Sequence, residues 1–131
     1  MSAPLDLTRA PAHDPLEIYR FRDGLYAVDL IAAAITEFDL FTKLAAKPAD
    51  LATVCHDLGT HRRPTDVMLT LFAANGFLAL KNGVYSVTAL GQEHLVSTSP
   101  IFLGAYYASL KDRPVVKDFI IILKTDKPAN W

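Results

Sequence analysis

The chain has 131 residues and a formal net charge of −1, with 51% apolar and 21% charged residues. This length suits one domain that builds its own core, and the charge gives no overall attraction to nucleic acid. The single cysteine, Cys55, excludes a disulfide framework and a cysteine-based metal cluster. No signal peptide is recognisable, and the most apolar helical stretch, 25–35, is far shorter than the ~20 residues of a membrane span. We therefore expect a cytoplasmic protein without a membrane contact.

The first part of the chain predicts a flexible segment over 1–15, followed by a long helix from about Leu16 to Glu37. The second half of this helix is apolar on nearly every side, and such a helix must be buried on nearly every side. Because a small domain is expected to cover one face of its first helix, we expect a second copy of the chain to cover the rest. The alternative is that the remainder of this chain wraps the helix. The expected dimer-interface residues are Leu25, Val28, Ile31, Ala32 and Ile35.

The middle of the chain predicts three short helices. Residues 38–45 form the first, residues 49–59 the second with Gly59 as its stop, and the third runs from about Pro64 to Asn75. If Gly76 takes a left-handed conformation, Phe77 packs back on Phe72. The second and third helices, joined by "GTHRR", predict a helix-turn-helix.

A β-hairpin follows, because two β-favouring runs flank Asn82-Gly83, a pair that suits a type I′ turn. Thr88 is predicted to cap a helix that ends near residue 96, and Ser99-Pro100 predicts another helix start. A last helix is predicted from about Pro114 to Lys124. The fold class is therefore mainly α, a winged helix-turn-helix core with one β-hairpin, flanked by N-terminal and C-terminal dimerisation helices.

The predicted organisation has three parts. Residues 1–15 are the flexible segment, residues 16–99 hold the dimerisation helix and the winged-helix core, and residues 100–131 hold the C-terminal helices.

The winged-helix outline raises the possibility of DNA binding, but the cations that this requires are few. Asp57 and Asp66 offset them, and the outward positions of the presumed recognition helix are Thr70 and two alanines, which read bases poorly. We expect nucleic acid not to be the partner, and a stand-alone winged-helix regulator is the alternative. The candidate cations are His61, Arg62, Arg63 and Lys81.

The sequence indicates no catalytic residue and no metal site in this chain. Its six glycines do not form a phosphate or dinucleotide loop, and His56 and His61 are five residues apart, a poor match to a metal-binding pair. Glu93 and His94 are adjacent, so they are expected to point to different faces of their helix. Surface or structural roles are the expectation for these histidines.

Four stretches, "FDLFTKLA", "LFAANGFLAL", "GVYSVTALGQ" and the closing "LKTDKPANW", resemble the N-terminal domain of S-adenosylmethionine-dependent small-molecule O-methyltransferases. The resemblance covers residues 16–131. It implies a homodimerisation and substrate-pocket lid domain, in which the wing packs against protein rather than phosphate. Asp126 departs from the pattern, since the family commonly has Gly there.

The same resemblance implies that the methyl donor and the general base belong to a following catalytic domain. We therefore expect this chain alone to bind no S-adenosylmethionine and to be inactive, with the catalytic domain and a small-molecule acceptor as partners. A third hypothesis is a binding protein that kept the dimer scaffold without a catalytic half.

Aromatic side chains suit an aromatic or polyketide-like acceptor, because flat amphipathic rings offer both an apolar face and a polar edge. By the same resemblance, aromatic residues of this domain lie above the acceptor. Ordinary core or dimer packing is the alternative for each of them. The candidates are Tyr19, Phe102, Tyr106 and Tyr107.

Overall fold

A computed structural model of the chain describes residues 6–16, 18–19 and 27–128. These ranges hold seven helices and a small antiparallel sheet, which confirms the predicted mainly helical, winged-helix-like class. None of these helices combines the length and the apolar character that crossing a bilayer requires. In chain order the elements are α1 (Ala27–Thr36), α2 (Leu40–Ala46), β1 (Ala49–Asp50), α3 (Leu51–Leu58), α4 (Arg62–Ala74), β2 (Leu78–Lys81), β3 (Val84–Val87), α5 (Ala89–His94), α6 (Gly104–Ala108) and α7 (Pro114–Thr125).

The wing is a sheet with the strand order β1-β3-β2, antiparallel throughout. Tyr85 of β3 pairs with Leu80 of β2 on one side and with Ala49 of β1 on the other. Asn82 and Gly83 have φ values of 53° and 78°, as a type I′ turn requires, so the predicted hairpin is confirmed. The sequence did not indicate β1, since a two-residue strand is too short to show a period of two.

The ends of α3 and α4 follow from local chemistry. Gly59 ends α3 with a φ of 67°, as predicted. At the end of α4, Gly76 has a φ of 79° and the Phe77 amide donates to the Phe72 carbonyl at 2.9 Å. The Phe72 and Phe77 rings lie 6.2 Å apart, which confirms the predicted helix stop. The start of α4 differs from the prediction, because the helix begins at Arg62, two residues before Pro64.

Helix α1 is covered by its own chain. Helices α6 and α7 both pack against it, and its three consecutive alanines 32–34, all fully buried, allow that close approach. The premise that this chain is too short to cover α1 was therefore wrong. Leu25, together with most of the first half of the predicted long helix, lies outside the described residues. The other expected interface residues are internal: Val28 (1% exposed), Ile31 (0%), Ala32 (0%) and Ile35 (8%).

Two ion pairs join α1 and its end to the C-terminal helix. Asp29, the one charged residue of α1, is 4% exposed and lies 3.1 Å from Nε of Arg113, the residue that precedes α7. Glu37 lies 2.5 Å from Nζ of Lys124, near the other end of α7. A buried carboxylate that loses its cation costs at most about 3–5 kcal/mol, and less where the cation is half-exposed, so we expect Arg113 to stabilise the packing of α7 on α1.

The segment after α5 forms a turn where the sequence predicted the start of a helix. Ser99-Pro100 does not start a helix, because the Ser99 hydroxyl donates to the Glu93 carbonyl and accepts from the Ile101 amide in a turn. Helix α6 begins only at Gly104. The Phe102 ring lies over Gly104 so closely that a Cβ atom there would be 2.0 Å from it, which explains the glycine.

Candidate functional site

The start of α4, where a winged helix usually contacts DNA, is occupied by the end of α7. The His61 amide donates to the Leu123 carbonyl at 2.8 Å. Nε of Arg63 lies 2.7 Å from a carboxylate oxygen of Asp126, the residue that follows α7. Because a carbonyl and a carboxylate already lie where phosphate would bind, this helix start has little left to offer DNA.

The wing exposes two large apolar side chains beside the candidate cation Lys81, which is also exposed. Leu80 is 53% exposed and Val84 40% exposed, and both lie in the strands next to the turn. Asp50 lies near Arg62; hydrogen bonds from Thr53, and to a lesser extent the Arg62 charge, hold the pKa of Asp50 below its usual value. With Arg63 paired and Arg62 close to a carboxylate, this face does not favour DNA binding.

Three of the four aromatic candidates are brought near one another by α6 and the N-terminal segment. The Tyr19 and Tyr106 rings meet edge to face at 5.3 Å, and the Tyr106 and Tyr107 rings at 5.7 Å. Tyr107 is fully buried and donates its hydroxyl to the Ile18 carbonyl at 3.1 Å, so it is a core residue and not accessible to a ligand. Tyr19, Tyr106 and Phe102 are half-buried.

A shallow apolar groove lies between α1, α4 and α7. It has a volume of about 240 Å³. Val67 of α4 is 57% exposed there, and Ile121 of α7 is 38% exposed but does not line the groove. The sequence indicated the apolar character of α7 but not which of its side chains stay uncovered. The lining residues are Leu30, Arg63, Pro64, Val67, Phe119, Ile122 and Leu123.

The N-terminal segment is attached to α5, although residues 1–15 were predicted to be flexible. The Glu93 carboxylate accepts the amides of Ala12 (2.9 Å) and His13 (3.2 Å) and contacts Nδ1 of His13 at 3.0 Å. His94 contacts the His13 carbonyl at 3.1 Å. Glu93 and His94 therefore reach the same short stretch of chain, contrary to the expectation from their adjacency. No local pattern could have revealed a contact between residues 80 positions apart.

The glycines of the described part of the chain do not fit a methyl-donor loop. Gly59, Gly76 and Gly83 serve two helix ends and a turn. Gly91 and Gly104 are packed against Val87 and Phe102, where a Cβ atom would collide. Within the described ranges, no three His, Cys, Asp or Glu side chains are placed to hold a metal ion.

Comparison with known proteins places this fold among methyltransferases. No family model matches the chain. The 3-hydroxy-5-methyl-1-naphthoate 3-O-methyltransferase of Streptomyces sahachiroi is 37% identical over 83 residues, which is 63% of this chain and 24% of that enzyme. The chain thus spans about a quarter of the length of this curated relative.

Solved structures give the same result. An O-methyltransferase family 2 protein from Planctomyces limnophilus, in complex with apigenin, superposes with a TM-score of 0.75 at 28% identity, over 96% of this chain and 37% of that one. PigF with SAH superposes with a TM-score of 0.62 at 24% identity, over 79% of this chain and 30% of that one. Human N-acetylserotonin methyltransferase with SAM shares the fold at 17% identity, with a TM-score of 0.60 over 82% of this chain and 33% of that one. The proteins that this chain resembles in sequence and structure are therefore O-methyltransferases, of which it spans a fragment.

Proposed function

We propose that this chain is the homodimerisation and substrate-pocket lid domain of an S-adenosylmethionine-dependent O-methyltransferase. The observation that carries the proposal is the similarity to O-methyltransferases across a fragment of their length, at 37% identity in sequence and a TM-score of 0.75 in structure. The occupied start of α4 supports it, because this helix start then contacts protein where a regulator would contact DNA. The methyl donor would be held by a domain outside these residues.

The acceptor that fits this proposal is a hydroxylated aromatic molecule. One relative is named for a hydroxynaphthoate and one structural neighbour is in complex with apigenin. Tyr19, Phe102 and Tyr106 are half-buried, so each keeps some solvent-accessible surface. We assign acceptor contact to these three and exclude Tyr107, which is fully buried. These side chains would attract the acceptor through contacts between their rings and the aromatic ring of the acceptor.

The surface that we assign to self-association is the apolar groove between α1, α4 and α7, with a second copy of this chain as its occupant. Val28, Ile31, Ala32 and Ile35, which were first expected at the interface, are buried within the chain, so we assign the interface to other side chains. Val67 lines this groove together with Leu30, Phe119 and Ile122 and is 57% exposed, and an exposed apolar groove on a folded domain marks an interaction site.

Sedimentation of the isolated chain tests this assignment. We expect a dimer at micromolar concentration and, for Val67→Glu, a dissociation constant raised by at least roughly 30-fold, because the carboxylate would be desolvated in the interface. Leu80→Glu is the matched control, since Leu80 is similarly exposed but lies on the wing. Ile31→Glu should instead unfold the chain, because Ile31 is fully buried. A monomeric wild type, or equal effects of Val67→Glu and Leu80→Glu, would refute the assignment.

Methyl transfer tests the lid. In a polypeptide that carries this domain together with a donor-binding domain, Tyr106→Leu should raise the KM for a hydroxylated aromatic acceptor roughly three- to ten-fold, since one aromatic contact contributes about 0.5–1.5 kcal/mol. The KM for the methyl donor should not change. Val84→Ala, on the wing, is the control. An unchanged acceptor KM in Tyr106→Leu and Tyr19→Leu would rule out the assigned contact.

A further inference from the structure

One carboxylate holds the N-terminal segment. Glu93 of α5 accepts two consecutive backbone amides, those of Ala12 and His13, and its Oε1 also contacts Nδ1 of His13 at 3.0 Å. Charge-assisted hydrogen bonds of this kind are about twice as strong as bonds between neutral groups. The contact is therefore a specific attachment point, which we call the Glu93 latch: Ala12, His13, Glu93 and His94.

The buried side chain of His94 supplies the remaining contact of the latch. Its ring is 2% exposed, and Nε2 lies 3.1 Å from the His13 carbonyl, so with the proton on Nε2 it donates to that oxygen. Nε2 also lies 3.7 Å from the Glu93 carboxylate. The α5 helix thus binds both the amide and the carbonyl of His13, which fixes the backbone there rather than only one side chain.

Apart from the latch, little holds this part of the chain. No side chain between residues 6 and 16 is buried; His13 and Pro15 are half-buried, and Leu7 is 82% exposed. Segments with few buried apolar contacts open at a small free-energy cost. Further along, Ile18 is fully buried, so the segment is anchored at that end by packing and near its middle by the latch.

The latched segment runs directly into the aromatic surface. The Ile18 carbonyl accepts the Tyr107 hydroxyl at 3.1 Å, and the next residue, Tyr19, places its ring 5.3 Å from that of Tyr106. The position of the Tyr19 ring on Tyr106 is therefore coupled to the path of the chain that precedes it. Tyr19 lies six positions after His13.

We propose that residues 6–16 form a detachable strap, which the Glu93 latch closes, which stays anchored at the buried Ile18 and whose closed state holds Tyr19 against Tyr106. Opening the latch loosens the Tyr19 ring and widens access to the aromatic surface, so the strap regulates entry of the acceptor. The consequence for the acceptor rests on the proposed lid function. The strap itself does not, because its attachment is defined by contacts within this chain.

Protonation of Glu93 opens the strap. Hydrogen bonds from His13, and then from Ala12, hold the pKa of Glu93 below its ordinary value. A carboxyl whose pKa is lower in the closed state stabilises that state above its ordinary pKa and ceases to do so as the pH falls through the lowered value. The other charged or titratable groups that face the latch are His13, His94, and Asp6 and Arg9, which line a cavity together with Glu93.

Amide hydrogen exchange of the chain tests the latch. Glu93→Ala should speed exchange of the Ala12 and His13 amides roughly ten-fold or more at neutral pH, since about 1.4 kcal/mol of bonding corresponds to ten-fold. The nuclear Overhauser contact between the Tyr19 and Tyr106 rings should weaken in the same variant. Glu37→Ala, which removes an exposed carboxylate that pairs with Lys124 elsewhere, should change neither.

The pH arm uses the wild type. In the wild type, the exchange rate of the Ala12 and His13 amides, corrected for its intrinsic pH dependence, should rise as the pH falls below the ordinary pKa of a glutamate. In Glu93→Ala, the corrected rate should not depend on pH. Unchanged exchange in Glu93→Ala would overturn the latch. Faster exchange with an intact Tyr19–Tyr106 contact would overturn the coupling to the aromatic surface. Either result can be read without any methyl-transfer assay, so it is separate from a failure of the lid proposal.

Discussion

Asp126 has a left-handed backbone conformation, with a φ of 60°, where it ends α7. Glycine adopts this conformation without strain, which explains why the resembling family commonly has Gly there. In this chain the carboxylate of Asp126 lies 2.7 Å from Nε of Arg63. The strain of a side chain at positive φ is thus partly offset by an ion pair that ties α7 to α4.

Two substitutions separate the strain from the ion pair. Asp126→Gly relieves about 1 kcal/mol of strain and loses an exposed pair of about 0.2–1 kcal/mol, so its free energy of unfolding should stay within about 1 kcal/mol of the wild type. Asp126→Ala keeps the strain and loses the pair, so it should be destabilised by about 0.2–1 kcal/mol relative to the wild type and be about 1 kcal/mol less stable than Asp126→Gly. Urea denaturation measures both. If Asp126→Ala proved as stable as Asp126→Gly, the strain argument would fail.

The aromatic residues illustrate how far a single residue can be interpreted from the sequence. Tyr106 and Tyr107 are neighbours with the same side chain, yet Tyr107 is fully buried and Tyr106 is half-buried. Their different roles depend on Ile18, which lies 89 positions away and accepts the Tyr107 hydroxyl. The resemblance to a known family suggested four aromatic candidates, and the packing of α6 against the N-terminal segment separates Tyr107 from the others.

Among the elements, those specified by local chemistry were predicted correctly. The hairpin follows from Asn82-Gly83, the cap of α5 from Thr88, whose hydroxyl accepts the Gly91 amide, and the end of α4 from Gly76. Each depends on a few consecutive residues whose backbone preferences are strong. The bounds of α7 also agree with the prediction, to within one residue.

Elements whose environment depends on distant parts of the chain were predicted less well. The apolar character of α1 correctly indicated burial, but not whether a partner or the chain's own α6 and α7 would supply it. The attachment of the N-terminal segment was missed for the same reason, because Glu93 and His13 are 80 positions apart. A periodic pattern reports that a face is covered, and it carries no information about the covering element.

At the scale of the whole molecule, a winged-helix outline coexists with a surface that is poorly suited to DNA. The chain has a net charge of −1, Arg63 is paired with Asp126, and the wing exposes Leu80 and Val84. The shape alone would suggest DNA binding, whereas the charge of the surface argues against it. The comparisons agree with the charge, since a protein that shares this shape at 28% identity is an O-methyltransferase family 2 protein.

A titration with duplex DNA checks this conclusion. We expect no saturable binding in 150 mM salt and, at low salt, only weak binding with a shallow salt dependence, because few cations are available to release counterions. Fluorescence anisotropy with a labelled duplex measures it. Arg62→Ala combined with Arg63→Ala provides the comparison. Tight, steeply salt-dependent binding that this double variant loses would favour a transcription regulator over the proposed function.

The meeting of α7 with α4 has an electrostatic consequence. A helix begins with partial positive charge on its unpaired amides and ends with partial negative charge on its carbonyls. Here the negative end of one helix supplies its Leu123 carbonyl to His61 at the positive end of the other. The two dipoles neutralise each other inside a single chain, so the scaffold supplies internally the counter-charge that nucleic acid would otherwise provide.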